Sequence, residues 1–392
     1  MSWAGLANNQ TISFNNLQNA VTTGVFSQKA SIPVSTEQIT KDDANVYVNI
    51  NTSFAPYAAK ASNQLVVKSN LEAVLASVVF TNGIIWFGIA NNQTTSSPIQ
   101  LLCGWNDSND DGRIYRSTDY GSTYASVLTI NQRLYRVRYL PAFRHASTLT
   151  VLPFVAVGEG GRIVTNNVTD CTSYVTVTSP TTQDLFDIAF NSTQAIIVGD
   201  ARILKTTTAN RINAWTIVNS ASNIWRSVAS NGSIFVAVGN SSAIITGDSA
   251  GTTWTARSMP PLTPTKNLKG ITYHTDGFFY VVGQDASTGD PYMMRSSDNG
   301  VTWSNYLPTG ATLSLGLQSI ESINNKLIIG GINSQYEIDG GVARQFTAAF
   351  AGYSAWWMSA VKDANSNGFD MAASLVVFGN EFNGQHGGHS NF

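Results

Sequence analysis

Short apolar runs that end in glycine recur along the chain: LLCG at Gly104, FVAVG at Gly158, AIIVG at Gly199, FVAVG at Gly239, FYVVG at Gly283, KLIIGG at Gly330 and LVVFG at Gly379. Their spacing is about 40 to 55 residues. Each is rich in β-branched residues and bounded by turn formers, the pattern of a buried strand rather than of a helix. A second strand-like piece lies upstream of each run, as in LFDIAFNS and WRSVASNG, and a third downstream, as in RIVTN, RILKT and AIITG. Most of the glycines are followed, about 15 to 20 residues on, by an aromatic: Tyr124, Tyr174, Trp215, Trp254, Trp303 and Phe346. The unit is a four-stranded antiparallel meander. Seven copies at this period predict an all-β fold, a seven-bladed β-propeller in which each blade covers its neighbour's apolar face.

The seventh unit is short of strands, because only NEFNGQHGGHSNF follows Gly379. A propeller covers such an edge with a strand taken from the other end of the chain, and QLVVKSN, residues 64 to 70, is expected to complete the last blade. The propeller then spans residues 64–392, and residues 1–63 form an anchoring or docking segment. In that segment SFNNLQNAVTTGVF has an apolar stripe at Phe14, Leu17, Val21 and Val25, and STEQITKDDANVYVN offers Thr40-x-x-Asp43 as a helix start. Two short helices joined by ASIPVS are expected, neither long enough to fold alone.

Composition narrows the partners. Of 392 residues, 43% are hydrophobic and 12% charged. That charged share is about half the usual one and favours turn-rich β structure. The net charge of -2 provides no dense basic face, so neither nucleic acid nor membrane insertion is expected. The start MSWAGLANNQ lacks the charged and apolar regions of a secretion signal. Cys103 and Cys171 are read as free thiols.

One polar phrase recurs as STDYGSTYA (residues 117–125), TGDSAGTTWT (246–255) and SSDNGVTWS (296–304). Its Asp carboxylate can accept backbone N–H groups of its own turn, its Gly supplies a positive φ, and its aromatic opens the outer strand. The phrase resembles the Asp-box, or bacterial-neuraminidase, repeat. The resemblance implies a propeller, with the box at the blade periphery and away from any catalytic centre. It assigns a structural role to Ser117, Asp119, Gly121 and Tyr124, to Asp248, Gly251 and Trp254, and to Ser296, Asp298, Gly300 and Trp303.

Sialidases of that family need three converging arginines, a Tyr nucleophile helped by Glu, and an Arg-Ile-Pro near the first blade. The chain has SIPV at residues 31–34 and no Arg-Ile-Pro. Other glycosidases need two carboxylates across a cleft, for which Glu159, Asp187, Asp200, Glu321, Glu337 and Glu381 are the candidates. The sequence does not bring any two of them together, and no catalytic residue is assigned. No nucleophile elbow or phosphate loop is present.

Two loops alternate oxygen ligands as calcium hairpins do: Asp107, Asn109 and Asp111 before Gly112, and Asp363, Asn365 and Asn367 before Gly368, with Asp370 beyond. Thr118 and Ser374 stand where a bidentate Glu is required, so a plain Asx turn and a calcium site both remain open. No other cofactor is expected. His386 and His389 lie in a polar tail. Trp86, Trp105, Trp356, Trp357 and Tyr353 are candidate sugar-stacking faces or core residues.

The N-terminal phrases ISFNNLQNAVTTGVF, QITKDDANVYVNINTS and APYAAKASNQLVVKSNL are similar to N-terminal segments of tailed-bacteriophage structural proteins. That resemblance implies a non-catalytic virion protein, of tail, fibre or decoration type. It would attach to other virion proteins through residues 1–63, in multiple copies, and display the propeller toward a host glycan or receptor. The alternatives are a secreted glycan-active hydrolase and an assembly factor similar to the Asp-box propellers of photosystem assembly.

Overall fold

The computed structural model describes nearly all of residues 84–345, together with the backbone of strands between residues 30 and 75 and of residues 354–362 and 369–376. Among the described residues, seven sheets of four or five strands follow one another. Their first strands are Ile84–Asn91, Leu134–Tyr139, Leu185–Phe190, Trp225–Ser230, Lys266–Tyr273, Leu317–Ile323 and Ser354–Lys362. Each of these packs on the next, and Ser354–Lys362 packs on Ile84–Asn91, so they form a closed inner ring. Strand order within a sheet follows the chain outward, as in the third, where Leu185–Phe190, Ala195–Gly199, Arg202–Thr206 and Trp215–Asn219 pair antiparallel in turn. The fold is a β-propeller.

The alternation of a strand explains why the repeated runs are apolar throughout. Val155 and Val157 pack into the core shared with the third sheet, while Phe154 and Ala156 on the opposite face join the core shared with the first. Ile196 and Val198 likewise face the fourth sheet, and Ala195 and Ile197 the second. A second strand therefore has no solvent face. Burial of each Val or Ile in it stabilises the fold by about 1.5–3 kcal/mol. Cys103 and Cys171 are both buried in the core between the first two sheets, as free thiols.

The seventh sheet takes its outer strands from the other end of the chain. Phe369–Val376 pairs antiparallel with Leu65–Asn70, with Phe369 opposite Ser69 and Ala373 opposite Leu65, and Ala73–Leu75 follows. The sixth sheet carries an extra two-residue strand, Thr309–Gly310, parallel to Val342–Gln345.

The N-terminal segment departs from its expected form. Ala30–Ile32, Glu37–Lys41 and Val46–Ile50 make a three-stranded antiparallel sheet where STEQITKDDANVYVN was expected to form a helix and ASIPVS a linker. The reason lies in VYVNI, whose β-branched and aromatic residues favour a pleated strand, and in DDAN, which supplies turn formers between Lys41 and its partner Val46. Thr40, read as a helix start, instead pairs with Tyr47. The stripe from Phe14 to Val25 lies outside the described residues.

Candidate functional site

The seven inner strands share one irregularity. Their register slips by one residue near the start, leaving Phe87, Tyr135, Phe186, Arg226, Lys269, Gln318 and Trp356 as the extra residue of a β-bulge. In the first six sheets the residue before the bulge pairs with a glycine, as Leu185 does with Gly199 and Trp225 with Gly239. The bulge forces that glycine. A Cβ at Gly158, Gly199, Gly239 or Gly283 would run into the backbone carbonyl oxygen of Arg133, Asp184, Ile224 or Asn267. The glycines that end the apolar runs are thus the counterparts of bulges in the strand alongside, which re-aim a side chain.

Five of the bulge residues form an arc around one end of the ring. Phe87 and Tyr135 meet edge to face at 5.5 Å, and Tyr135 and Phe186 lie 5.5 Å apart, tilted. The Arg226 guanidinium stands 4.9 Å over the Phe186 ring and takes Asn240 Oδ1 at 3.2 Å from Nε. Lys269 follows. Burial, and then the charge of Arg226, pulls its amine down to about 8. Burial also pushes the Tyr135 hydroxyl well above its ordinary value.

One step further along the same strands lies an ion network. Arg136 Nε donates to Asp187 Oδ1 at 2.9 Å, and Arg136 Nη1 lies 3.4 Å from Glu321 Oε1. Arg138 Nη2 donates to Glu321 at 2.8 Å and stands 3.9 Å from Asp187. Asp187 also accepts the Ile188 N–H at 2.9 Å, the Ser227 hydroxyl at 2.7 Å and the Val228 N–H at 3.2 Å. Burial alone would raise the Asp187 carboxyl, but Arg136, Arg138 and Ser227 hold it below its ordinary value. Two carboxylate candidates are therefore brought close to each other, and both are neutralised by arginine. A general acid needs the opposite environment, one that raises its pKa.

The remaining candidates are dispersed. Glu159 accepts the Arg133 N–H at 3.2 Å, Glu337 is buried against Lys326 Nζ at 2.7 Å, and Asp200 bridges Ile224 through its backbone. Trp86 is fully buried, edge-on to Tyr115 at 5.1 Å, and has no face for a sugar. Trp105 carries the Arg133 guanidinium 3.9 Å over its ring and donates Nε1 to Asp110 at 2.9 Å. In the first calcium-like loop Asp111 is taken by Arg113 in a two-point pair at 2.6 and 2.8 Å, and Asn109 sits at an exposed turn. Asp107, Asp363, Asn365, Asn367, Glu381, His386, His389 and Tyr353 lie outside the described residues, as do residues 377–392 as a whole.

The residues of the Asp-box-like phrases occupy the opposite end of the sheets, in the turn between third and fourth strands. Ser296 Oγ accepts the Gly300 N–H at 2.9 Å, and Asp298 accepts the Thr302 N–H at 2.9 Å and the Thr302 hydroxyl at 2.6 Å. Asn299 and Gly300 both have positive φ, 59° and 76°. Trp303 Nε1 closes the turn on Gly300 O at 3.0 Å. Ser117, Asp119, Gly121 and Thr123 repeat the arrangement, with Tyr124 bonded to Gln100 instead. Asp248 and Trp254 do so around Gly251. These turns also face the preceding sheet: Asn191 Nδ2 donates to Ser249 O at 2.8 Å, and Asn231 Nδ2 to Asn299 Oδ1 at 2.7 Å. The box fastens neighbouring sheets far from the bulge arc.

The bulge residues escaped the sequence reading because Phe, Tyr, Arg, Lys, Gln and Trp at one position make no motif. Their signal is the spacing around them: WFGI, LYRV, LFDI, WRSV, LKGI and LQSI place apolar residues three apart inside a strand. A regular strand alternates by two, so a spacing of three marks an inserted residue.

No protein-family model and no curated protein matches the chain. Solved structures do. YCF48 from Cyanidioschyzon merolae is 12% identical, with a TM-score of 0.54, covering 76% of this chain and 96% of that one. A structure described as YCF48 bound to D1 peptide is 14% identical, with a TM-score of 0.52, covering 75% of this chain and 94% of that one. The likeness establishes the propeller fold.

Proposed function

We propose that the chain is a non-catalytic recognition protein, a bacteriophage virion component that displays its propeller toward a host-surface glycan or receptor. The observation that carries the non-catalytic part is the state of Asp187 and Glu321. Both accept from Arg136 and Arg138, at 2.9 and 2.8 Å, and the arginines hold the Asp187 carboxyl below its ordinary value, the opposite of what a general acid needs. The bulge arc next to them presents aromatic rings and two cations, groups that bind. A propeller of the same fold, YCF48, is described in complex with a peptide, which supports binding rather than turnover as a use of this architecture.

The virion placement draws on the N-terminal phrases and on the separate small sheet they contribute, which provides a unit for attachment outside the propeller. In this reading residues 1–63 hold the protein to other virion proteins in multiple copies. Mass spectrometry of purified particles tests the placement: the chain is expected among the structural proteins, and its absence from every particle overturns it. Incubation with sialosides and acidic polysaccharides tests the rest. No turnover is expected, and hydrolysis lost in Asp187→Asn or Glu321→Gln would replace the recognition reading with a glycan-active hydrolase.

A further inference from the structure

The first three inner strands end on Asn91, Tyr139 and Phe190, an amide beside two aromatic rings. A cleft of 280 Å³ opens between these strand ends, at the end of the ring away from the bulge arc. Ile89 and Ala90 close it toward the core, and Tyr139, Pro141 and Phe190 line it further out. Its two rings are braced by buried neighbours: Tyr139 lies tilted against Phe154 at 4.9 Å, and Phe190 meets Phe143 edge-on at 6.2 Å. Three polar side chains complete the lining. Asn91 Oδ1 accepts both the backbone N–H of Gln93, at 3.2 Å, and its side-chain amide, so the two amides are tied together. Arg138 is the charged member, and its charge is answered by Glu321 at 2.8 Å and Asp187 at 3.9 Å.

This lining discriminates between classes of guest. An anion gains little from a guanidinium that two carboxylates already hold. A wholly apolar guest would take water from the amides and return no hydrogen bond. We propose that the cleft binds a neutral sugar ring, with its C–H face against Phe190 and Tyr139 and its hydroxyls toward Asn91, Gln93 and Arg138. A hydroxyl both donates and accepts, so one kind of group serves amide and guanidinium alike. The aromatic rings supply flat apolar surface for the other side of the sugar. Pockets that take drug-sized ligands begin at about 300 Å³, so a cleft of 280 Å³ suits a single ring rather than a chain of them.

The cleft is separate from the bulge arc, and the inference goes beyond the recognition reading: it stands or falls whether or not the chain is found in particles. Calorimetric titration of the purified full chain at pH 7 with galactose, glucose, mannose and N-acetylglucosamine is the direct experiment, with glucuronate and benzyl alcohol as the charged and the apolar comparison. At least one neutral sugar is expected to bind at least tenfold more tightly than either comparison, and its affinity to fall at least fivefold in Phe190→Leu and in Gln93→Ala. Phe190→Leu keeps an apolar side chain against Phe143 and removes the flat face, and Gln93 is exposed, so both variants are expected to fold. Amide exchange read by mass spectrometry locates the guest on unaltered protein. The preferred sugar is expected to slow exchange at least twofold in peptides covering residues 89–93 and 138–142, and not at all in those covering 296–304. The proposal is overturned if no neutral sugar binds, if glucuronate or benzyl alcohol binds as tightly, if both variants keep full affinity, or if protection misses both cleft peptides.

Discussion

Arg138 and Glu321 join inner strands that are not neighbours in the ring, with Nη2 and Oε1 2.8 Å apart. Through Arg136 the same carboxylate is linked to Asp187, and through Ser227 the network reaches the fourth sheet. The centre of the propeller is cross-braced by charge, in addition to the apolar layers between sheets. Removal of one member leaves another charge buried without its partner. Asp187→Asn is expected to destabilise the protein by about 3–5 kcal/mol in urea unfolding. Because the folded-state pKa of Asp187 is depressed, its contribution is complete above the unfolded value of about 4 and fades as pH falls toward the folded one. The variant is therefore expected to lose least relative to the parent in strong acid.

Asp298→Ala is expected to cost about 1–2 kcal/mol, since the carboxylate caps Thr302 and anchors Ser296. Trp303→Phe removes the Nε1 bond to Gly300 O and is expected to cost about 1 kcal/mol. Neither is expected to change sugar affinity, because this turn lies in the fifth sheet and the cleft among the first three. Thermal melting beside a titration measures both at once.

At Gly239 a Cβ meets the Ile224 carbonyl, which is backbone and cannot swing aside. Gly239→Ala is expected to destabilise by about 2–4 kcal/mol. Gly232→Ala is the control: nothing lies within 4 Å there, and only a positive φ of 91° opposes the side chain. It is expected to cost about 1–2 kcal/mol. Reversal of that order in urea unfolding would disprove the bulge explanation of the repeated glycines.

Lys269 carries the opposite sign from Asp187. Its folded-state amine is pulled down to about 8, so between that value and an unfolded one of about 10.4 the unfolded chain holds the extra proton. Stability from this group therefore rises with pH across that window, and the penalty is fully present below it. Lys269→Met is expected to gain roughly 1–3 kcal/mol at pH 7 and to flatten the rise between pH 8 and 10. Unfolding curves at a series of pH values measure both effects.

Burial pushes the Cys171 thiol up to about 12 and raises that of Cys103 as well. Only a thiolate reacts appreciably with iodoacetamide. Both cysteines are expected to resist it at pH 8 in folded protein and to react once the chain is unfolded in urea, as counted by mass spectrometry.

The propeller was legible in the sequence because its strongest signal is one of packing: a strand covered on both faces is apolar at every position, and seven such runs stand out. The capped turns at Asp119, Asp248 and Asp298 were legible because Ser, Asp and Gly have local duties that their spacing states. The strands from Glu37 to Ile50 were misread, since Thr40-x-x-Asp43 has the form of a cap while the β-branched run beside it decides the outcome. The site was the least visible part. At the bulge position the fold requires an extra residue but no particular one, so Phe186, Arg226 and Lys269 are free to differ from sheet to sheet.

The pairing of Ser69 with Phe369 also has a consequence for synthesis on the ribosome. Leu65–Asn70 leaves the exit tunnel about 300 residues before the strand it pairs with. While the intervening sheets are made, that strand waits with one edge open, a state prone to joining the wrong chain. Sealing of the circle waits for Phe369–Val376, and the speed of elongation sets how long the nascent protein stays vulnerable.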